Sequence, residues 1–163
     1  MATTTPIEPY DSATAADFAP PRWLRHPHVQ SIYPSLRLRR RSVERRCASL
    51  LRASRDVLVD CGDGVRLLAH VATQDELGRP AARSMAVLIH GWEGSANSLY
   101  VLSLGQMLLD SGYDVARLNL RDHGESHHLN EEIFHSCRIA EVVGAVRSLQ
   151  QMYGASRRLC LAG

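Results

Sequence analysis

Residues 85–90, MAVLIH, are apolar without a break until the closing histidine. A strand buried on both faces has this pattern. A polar, glycine-containing stretch, GWEGSANS, follows at once. In NSLYVLSLGQMLLDSG, Tyr100, Leu104 and Leu108 recur every four residues. This predicts a helix that Asn97 or Ser98 caps and Gly112 closes. YDVARLNL (113–120) reads as the next strand and RDHGESHHLN as a loop. Residues 131–154 read as a second helix, opened by acidic residues and ended by Gly154, with Ile139, Val142, Val143, Val146 and Leu149 on one broad face. RRLCLAG begins a third strand. Upstream, RDVLVDCGDGVRLLAHVA alternates at Val57 and Val59 and again at Val65, Leu67, Ala69 and Val71, with DCGDG between as turn residues. That is the signature of a β-hairpin. Pro27 and Pro34 bracket a span with room for one short helix.

The order strand–helix–strand–helix–strand implies an α/β fold, with a mostly parallel sheet, helices on both sides and the hairpin at one edge. In such sheets chemistry lies beyond the carboxyl ends of the strands. Three loops lead there: after His90, after Leu120 and after Ala162.

Composition narrows the class further. A chain of 163 residues suits one domain with a real core. The first 21 residues read as a flexible leader, with neither a basic n-region nor an apolar h-region, and residues 22–163 as the folded portion. No apolar run approaches the ~18 residues a membrane span needs. Formal net charge is only +2, and every positive side chain is arginine. Six of these arginines lie in RLRRRSVERR (37–46). No aromatic residue interleaves them and no recognition motif accompanies them, so a solvated face or internal pairing is expected and no nucleic-acid partner. Cys47, Cys61, Cys137 and Cys160 show no paired ligand spacing. Buried free thiols in a cytoplasmic protein are expected, with no disulfide, metal or other cofactor.

The first loop carries the chemistry. Gly91 lets the backbone turn sharply behind His90, and Gly94 loosens the far side. A loop of this kind aims N–H groups at a developing negative oxygen, as acyl transfer requires. The N–H of Trp92 is the candidate oxyanion donor, supported by His90, Gly91 and Gly94, and its indole can wall an acyl pocket. His90 is expected to fix the loop by hydrogen bonds. In the second loop, Asp122 and His123 are adjacent, and their side chains are expected to diverge. Gly124 is expected in a conformation other residues resist, with Asp122, Glu125 and Ser126 satisfying loop backbone groups. His127, His128 and His135 beside Glu131 and Glu132 lack the HExxH spacing of a metal site.

Together these segments resemble the α/β-hydrolase fold. VLIHGWEG is similar to its third strand and oxyanion loop, and GYDVARLNLRDHGES to its fourth strand and following loop, with Asp122 where glycine is commoner. More narrowly, HPHVQSIYP, HGWEGSANSLY, RDHGES and IFHS resemble the YheT-like hydrolases, a bacterial branch related to the eukaryotic ABHD1/ABHD3 esterases and lipases. The match runs from about His26 to Gly163, with Cys137 and Glu141 departing from the commoner glycine and aspartate. The resemblance implies a serine carboxylester hydrolase working through an acyl-enzyme on small-molecule ester or lipid substrates. It also implies that Asp122, His123, Gly124 and His135 support the active site.

In that family the fifth strand enters a G-x-S-x-G elbow, and the acid and histidine follow in the chain. Here that strand reaches Gly163, where the first elbow glycine would stand. Ser95, Ser98 and Ser126 lack the elbow's flanking glycines. The chain therefore reads as the N-terminal part of such an enzyme, holding an oxyanion loop but no triad, inactive alone and prone to self-association through exposed apolar surface. The alternative is a non-catalytic fragment or interaction module. An aspartate nucleophile on the same fold is a further one.

Overall fold

A computed structural model describes residues 19–33, 37–154 and 158–163. Most of the predicted leader, and Pro34, lie outside them. The described residues fall into two compact units, one up to Arg39 and one from Arg40 onward.

In the first unit a 3-10 turn at Arg22–Leu24 precedes helix α1, Pro27–Ile32. Proline at the first position of α1 fits, because its missing N–H would have no helical acceptor there. Trp23 and Tyr33 meet edge to face at 5.2 Å, and Arg39 lies over the Tyr33 ring.

The second unit is built on a five-stranded sheet. Its strands are β1 (Ser54–Gly62), β2 (Val65–Ala72), β3 (Ser84–Ile89), β4 (Asp114–Leu118) and β5 (Arg158–Ala162). They lie in the order β1-β2-β4-β3-β5. β2 runs antiparallel to both β1 and β4, and β3 is parallel to β4 and β5. Only β2 is therefore reversed, and the architecture is the expected mixed α/β one.

Helices cover both faces. Helix α2 (Arg37–Arg46) is followed by α3 (Ala48–Ala53), and the sequence pattern did not predict either. Their signal was present: Val43, Cys47, Leu50 and Ala53 recur at helical spacing and are all buried. With α4 (Leu99–Asp110) they cover Ala72, Ala86, Leu88 and Val115 of the sheet. On the other face, α5 (Ile139–Tyr153) packs Ala145 and Leu149 against Val59, Leu67, Ala69, Val87, Ala116 and Leu118. Helix α4 ends as predicted: Gly112 is left-handed at φ +87°, its N–H reaches Leu109 O, and that of Tyr113 reaches Leu108 O.

Three features of the fold differ from what the sequence pattern predicts. Residues 131–138 are loop rather than the first turns of α5. Ion pairs explain this, since the Arg138 guanidinium binds Glu132 at 2.5 Å and Glu141 at 3.0 Å, folding the segment back on itself. The buried face of α5 is also rotated. Ile139 and Val143 are exposed, whereas Glu141, Ala145 and Leu149 are buried. Small residues set that rotation. A Cβ on Gly144 would overlap the Cys61 carbonyl, and Ser148 Oγ donates to Asp60 O at 2.5 Å. Finally, only Cys47 is a buried thiol. Cys61 is half-buried, and Cys137 and Cys160 are exposed because one lies in the loop before α5 and the other in β5.

Candidate active site

The loops leaving β3 and β4 meet at the carboxyl end of the sheet, and His90 joins them. Its Nε2 accepts the Leu120 N–H at 3.1 Å, which leaves Nδ1 to donate to Gly91 O at 2.9 Å. Both ring nitrogens are thus used by the neutral imidazole. Burial holds its pKa below the ordinary histidine value, with the nearby His123 ring adding to that; the bond to Gly91 opposes it. A buried, neutral, doubly bonded imidazole positions backbone and has no nitrogen left for acid–base work.

A second tie runs deeper. Asn119, buried at the end of β4, accepts the Ala96 N–H on Oδ1 at 2.8 Å, while its own N–H reaches Leu68 O. Arg117, two residues earlier on the same strand face, is 1% exposed. It donates to Ala96 O at 2.8 Å, Asn97 Oδ1 at 3.0 Å and Ser54 Oγ at 3.1 Å. Burial pushes its pKa down to about 10. The guanidinium pins the far half of the loop to the sheet. Neither Arg117 nor Asn119 stood out in the sequence; the alternation in VARLNL that turns Val115, Arg117 and Asn119 to one face was the available signal.

Between these ties, nearly every backbone donor of residues 91–98 has an acceptor. Gly91 N–H donates to Tyr100 Oη at 2.6 Å, and Gly94 N–H to Gly91 O at 3.0 Å. Those of Ser95, Ala96, Asn97 and Ser98 find Ser98 Oγ, Asn119 Oδ1, Ser95 Oγ and Ser95 O. Within residues 91–98, the N–H groups of Trp92 and Glu93 are the two without an acceptor among the described residues. The cause is geometric. The 91–94 turn closes through its fourth residue, whose N–H binds Gly91 O, and that bond uses neither of the two central donors. Glu93 is left-handed at φ +53°. Successive backbone N–H groups in a turn can together receive an anion. Gly94 does not loosen the loop as expected: a Cβ there would stand 2.9 Å from Gly91 O, so close packing selects glycine.

The remaining candidates surround this turn. Trp92 is 77% exposed, and its ring meets Phe134 at 6.1 Å. Phe134 in turn packs edge to face on His123 at 4.8 Å, and His123 lies 4.8 Å from His90. The 131–138 loop is thus brought to the turn by an aromatic side chain. Asp122 and His123 do diverge. Asp122 Oδ1 lies 2.6 Å from His127 Nδ1, while His123 Nδ1 lies 2.8 Å from Arg121 O. Asp122 is left-handed at φ +58°. Gly124 is left-handed too, and a Cβ there would stand 2.7 Å from Asn119 Oδ1. His135 is exposed in the loop, its carbonyl accepting the Arg138 N–H. Beneath lies Arg121, buried and bound to both oxygens of Glu141 at 2.7–3.2 Å. Among the described residues no group of three His, Cys, Asp or Glu side chains is arranged to hold a metal ion, and no helix is long and apolar enough to cross a membrane.

No protein-family model and no curated protein matches this chain. Solved structures do. The Pyrococcus furiosus esterase Pf2001 superposes with a TM-score of 0.58 at 20% identity, over 70% of this chain and 42% of its own. An α/β serine hydrolase homologue from Coxiella burnetii gives 0.52 at 18%, over 67% and 50%. A Pyrobaculum calidifontis esterase gives 0.50 at 18%, over 85% and 48%. These likenesses show the α/β-hydrolase fold. The chain spans half or less of the length of these structures.

Proposed function

We propose that this chain is the N-terminal part of a serine carboxylester hydrolase of the YheT-like type, acting on small-molecule or lipid esters through an acyl-enzyme. The observation that carries the reading is the 91–94 turn. It stands at the carboxyl end of β3 in an α/β-hydrolase fold and presents two adjacent N–H groups with no internal acceptor. Trp92 N–H is the oxyanion donor. His90, Asn119 and Arg117 hold its loop, and the Trp92 indole with Phe134 forms an apolar wall beside it. In this reading a serine, an acid and a histidine other than these residues supply the nucleophile, orienting charge and base of the acyl-enzyme cycle.

The test is hydrolysis of p-nitrophenyl acetate and butyrate by the natural full-length protein, together with labelling by a fluorophosphonate. The reading expects ester turnover that stops on labelling, with the label on one serine in a G-x-S-x-G sequence. A folded full-length protein that neither turns over these esters nor takes the label contradicts it.

A further inference from the structure

We propose that the Tyr100 hydroxyl is a second oxyanion donor beside the Trp92 N–H, an inference that rests on the function proposed above. Tyr100 stands in the first turn of α4, yet its hydroxyl reaches back over the loop to accept the Gly91 N–H at 2.6 Å. A phenol oxygen that accepts one bond still holds a proton to donate. Among the described residues no acceptor takes that proton. Accepting a bond from Gly91 also polarises the O–H and makes it a better donor. The tyrosine is half exposed, with 54% of its surface open. A ligand can therefore reach it.

Position decides what the hydroxyl can do. Adjacent backbone nitrogens lie roughly 3–4 Å apart. The Gly91 bond therefore places Tyr100 Oη within about 6 Å of the Trp92 nitrogen, close enough for one oxygen atom to receive from both donors. The loop tolerates little movement here. Gly91 O is held by Gly94 and His90, and Ala96 by Asn119 and Arg117. Both donors are fixed before substrate arrives, and preorganisation gives such donors their effect.

In the step itself the nucleophile's oxygen bonds to the ester carbonyl carbon, and its proton passes to the base. The π pair moves onto the carbonyl oxygen, which Trp92 N–H and Tyr100 O–H then stabilise. Tyr100 keeps its proton throughout. When the pair returns to re-form the carbonyl, the alcohol leaves with the proton from the base. The substrate class follows: compounds whose carbonyl oxygen becomes negative at a tetrahedral carbon, esters and thioesters among them.

The experiment compares the natural full-length protein with its Tyr100→Phe variant on p-nitrophenyl butyrate, with thermal unfolding and amide 15N shifts recorded for each. A fall in kcat of at least about tenfold is expected, with KM within about twofold, as for loss of one oxyanion donor. The melting temperature and the Trp92, Gly94 and Ala96 amide shifts should stay unchanged, and the Gly91 amide should move. An active parent with unchanged kcat in the variant overturns the Tyr100 role and leaves the esterase reading standing. A fall in kcat with displaced Trp92 and Ala96 amides assigns Tyr100 to loop structure and also overturns it. A parent without turnover overturns both.

Discussion

His90 Nε2 accepts the backbone N–H of Leu120 at 3.1 Å, so one imidazole ties the loop after β3 to the loop after β4. The bond needs a lone pair on that nitrogen. Protonation would put a hydrogen where the acceptor must be. Burial keeps the folded pKa below the ordinary histidine value of about 6.5. The sign follows. Below that value the unfolded chain takes up a proton that the folded one refuses, so stability is complete above pH ~6.5 and is lost as pH falls through it, by at most about 1.4 kcal/mol per pH unit. Urea unfolding of the wild type and of His90→Gln between pH 8 and 5 checks this. The wild type should lose stability more steeply, and equal slopes would contradict it.

Gly144 sets how closely α5 approaches the hairpin. Alanine is the better helix former by about 1 kcal/mol, but its methyl would overlap the Cys61 carbonyl, with the Cys61 carbonyl carbon only 2.7 Å away. Backbone cannot step aside as a flexible side chain can. Gly144→Ala should cost a net ~1–3 kcal/mol, read as a lower denaturation midpoint. A neutral result would mean that the helix sits farther from the sheet.

Asp122 and its loop give an ordering rather than a single value. At φ +58° an alanine is strained, whereas glycine is not. The Asp122–His127 pair is largely exposed and contributes little. Asp122→Gly should therefore be neutral within about 0.5 kcal/mol and Asp122→Ala destabilising by about 1 kcal/mol. Equal stabilities, or the reverse order, would count against the left-handed backbone.

The thiols should separate by reactivity. Cys137 and Cys160 are exposed. Burial pushes the Cys61 thiol up to about 11 and raises Cys47 as well, with neighbouring arginines only partly offsetting it there. The thiolate is the reactive form. Ellman's reagent at pH 8 should modify Cys137 and Cys160 quickly, and the other two only after unfolding. Peptide mapping that found Cys47 or Cys61 among the fast thiols would contradict the packing of α3 or β1.

These residues also show what the sequence could and could not disclose. The MAVLIH run marked β3, and the two-residue alternation marked the hairpin, because both patterns report burial directly. Helices α2 and α3 were obscured by arginines, whose density hid the Val43–Cys47–Leu50 stripe. Residues 131–138 looked helical because nothing local breaks them. What unwinds them is the pairing of Arg138 with Glu132 and Glu141 and the seating of Phe134 on His123. Glycines and histidine marked the loops after β3 and β4, which His90 joins. Asn119, Arg117 and Tyr100 did not, since their roles come from contacts made only after the sheet forms.

The proposed oxyanion role requires the 91–94 turn to leave its Trp92 and Glu93 donors unbonded while its neighbours are bonded inside the loop. Residue-resolved amide hydrogen exchange on the folded protein tests this most directly. It should find Gly91, Ala96 and Leu120 protected, and Trp92 and Glu93 exchanging at near the open-chain rate. Trp92 and Glu93 amides protected as strongly as Ala96 would mean that those donors are bonded inside the protein. No oxyanion could then use them.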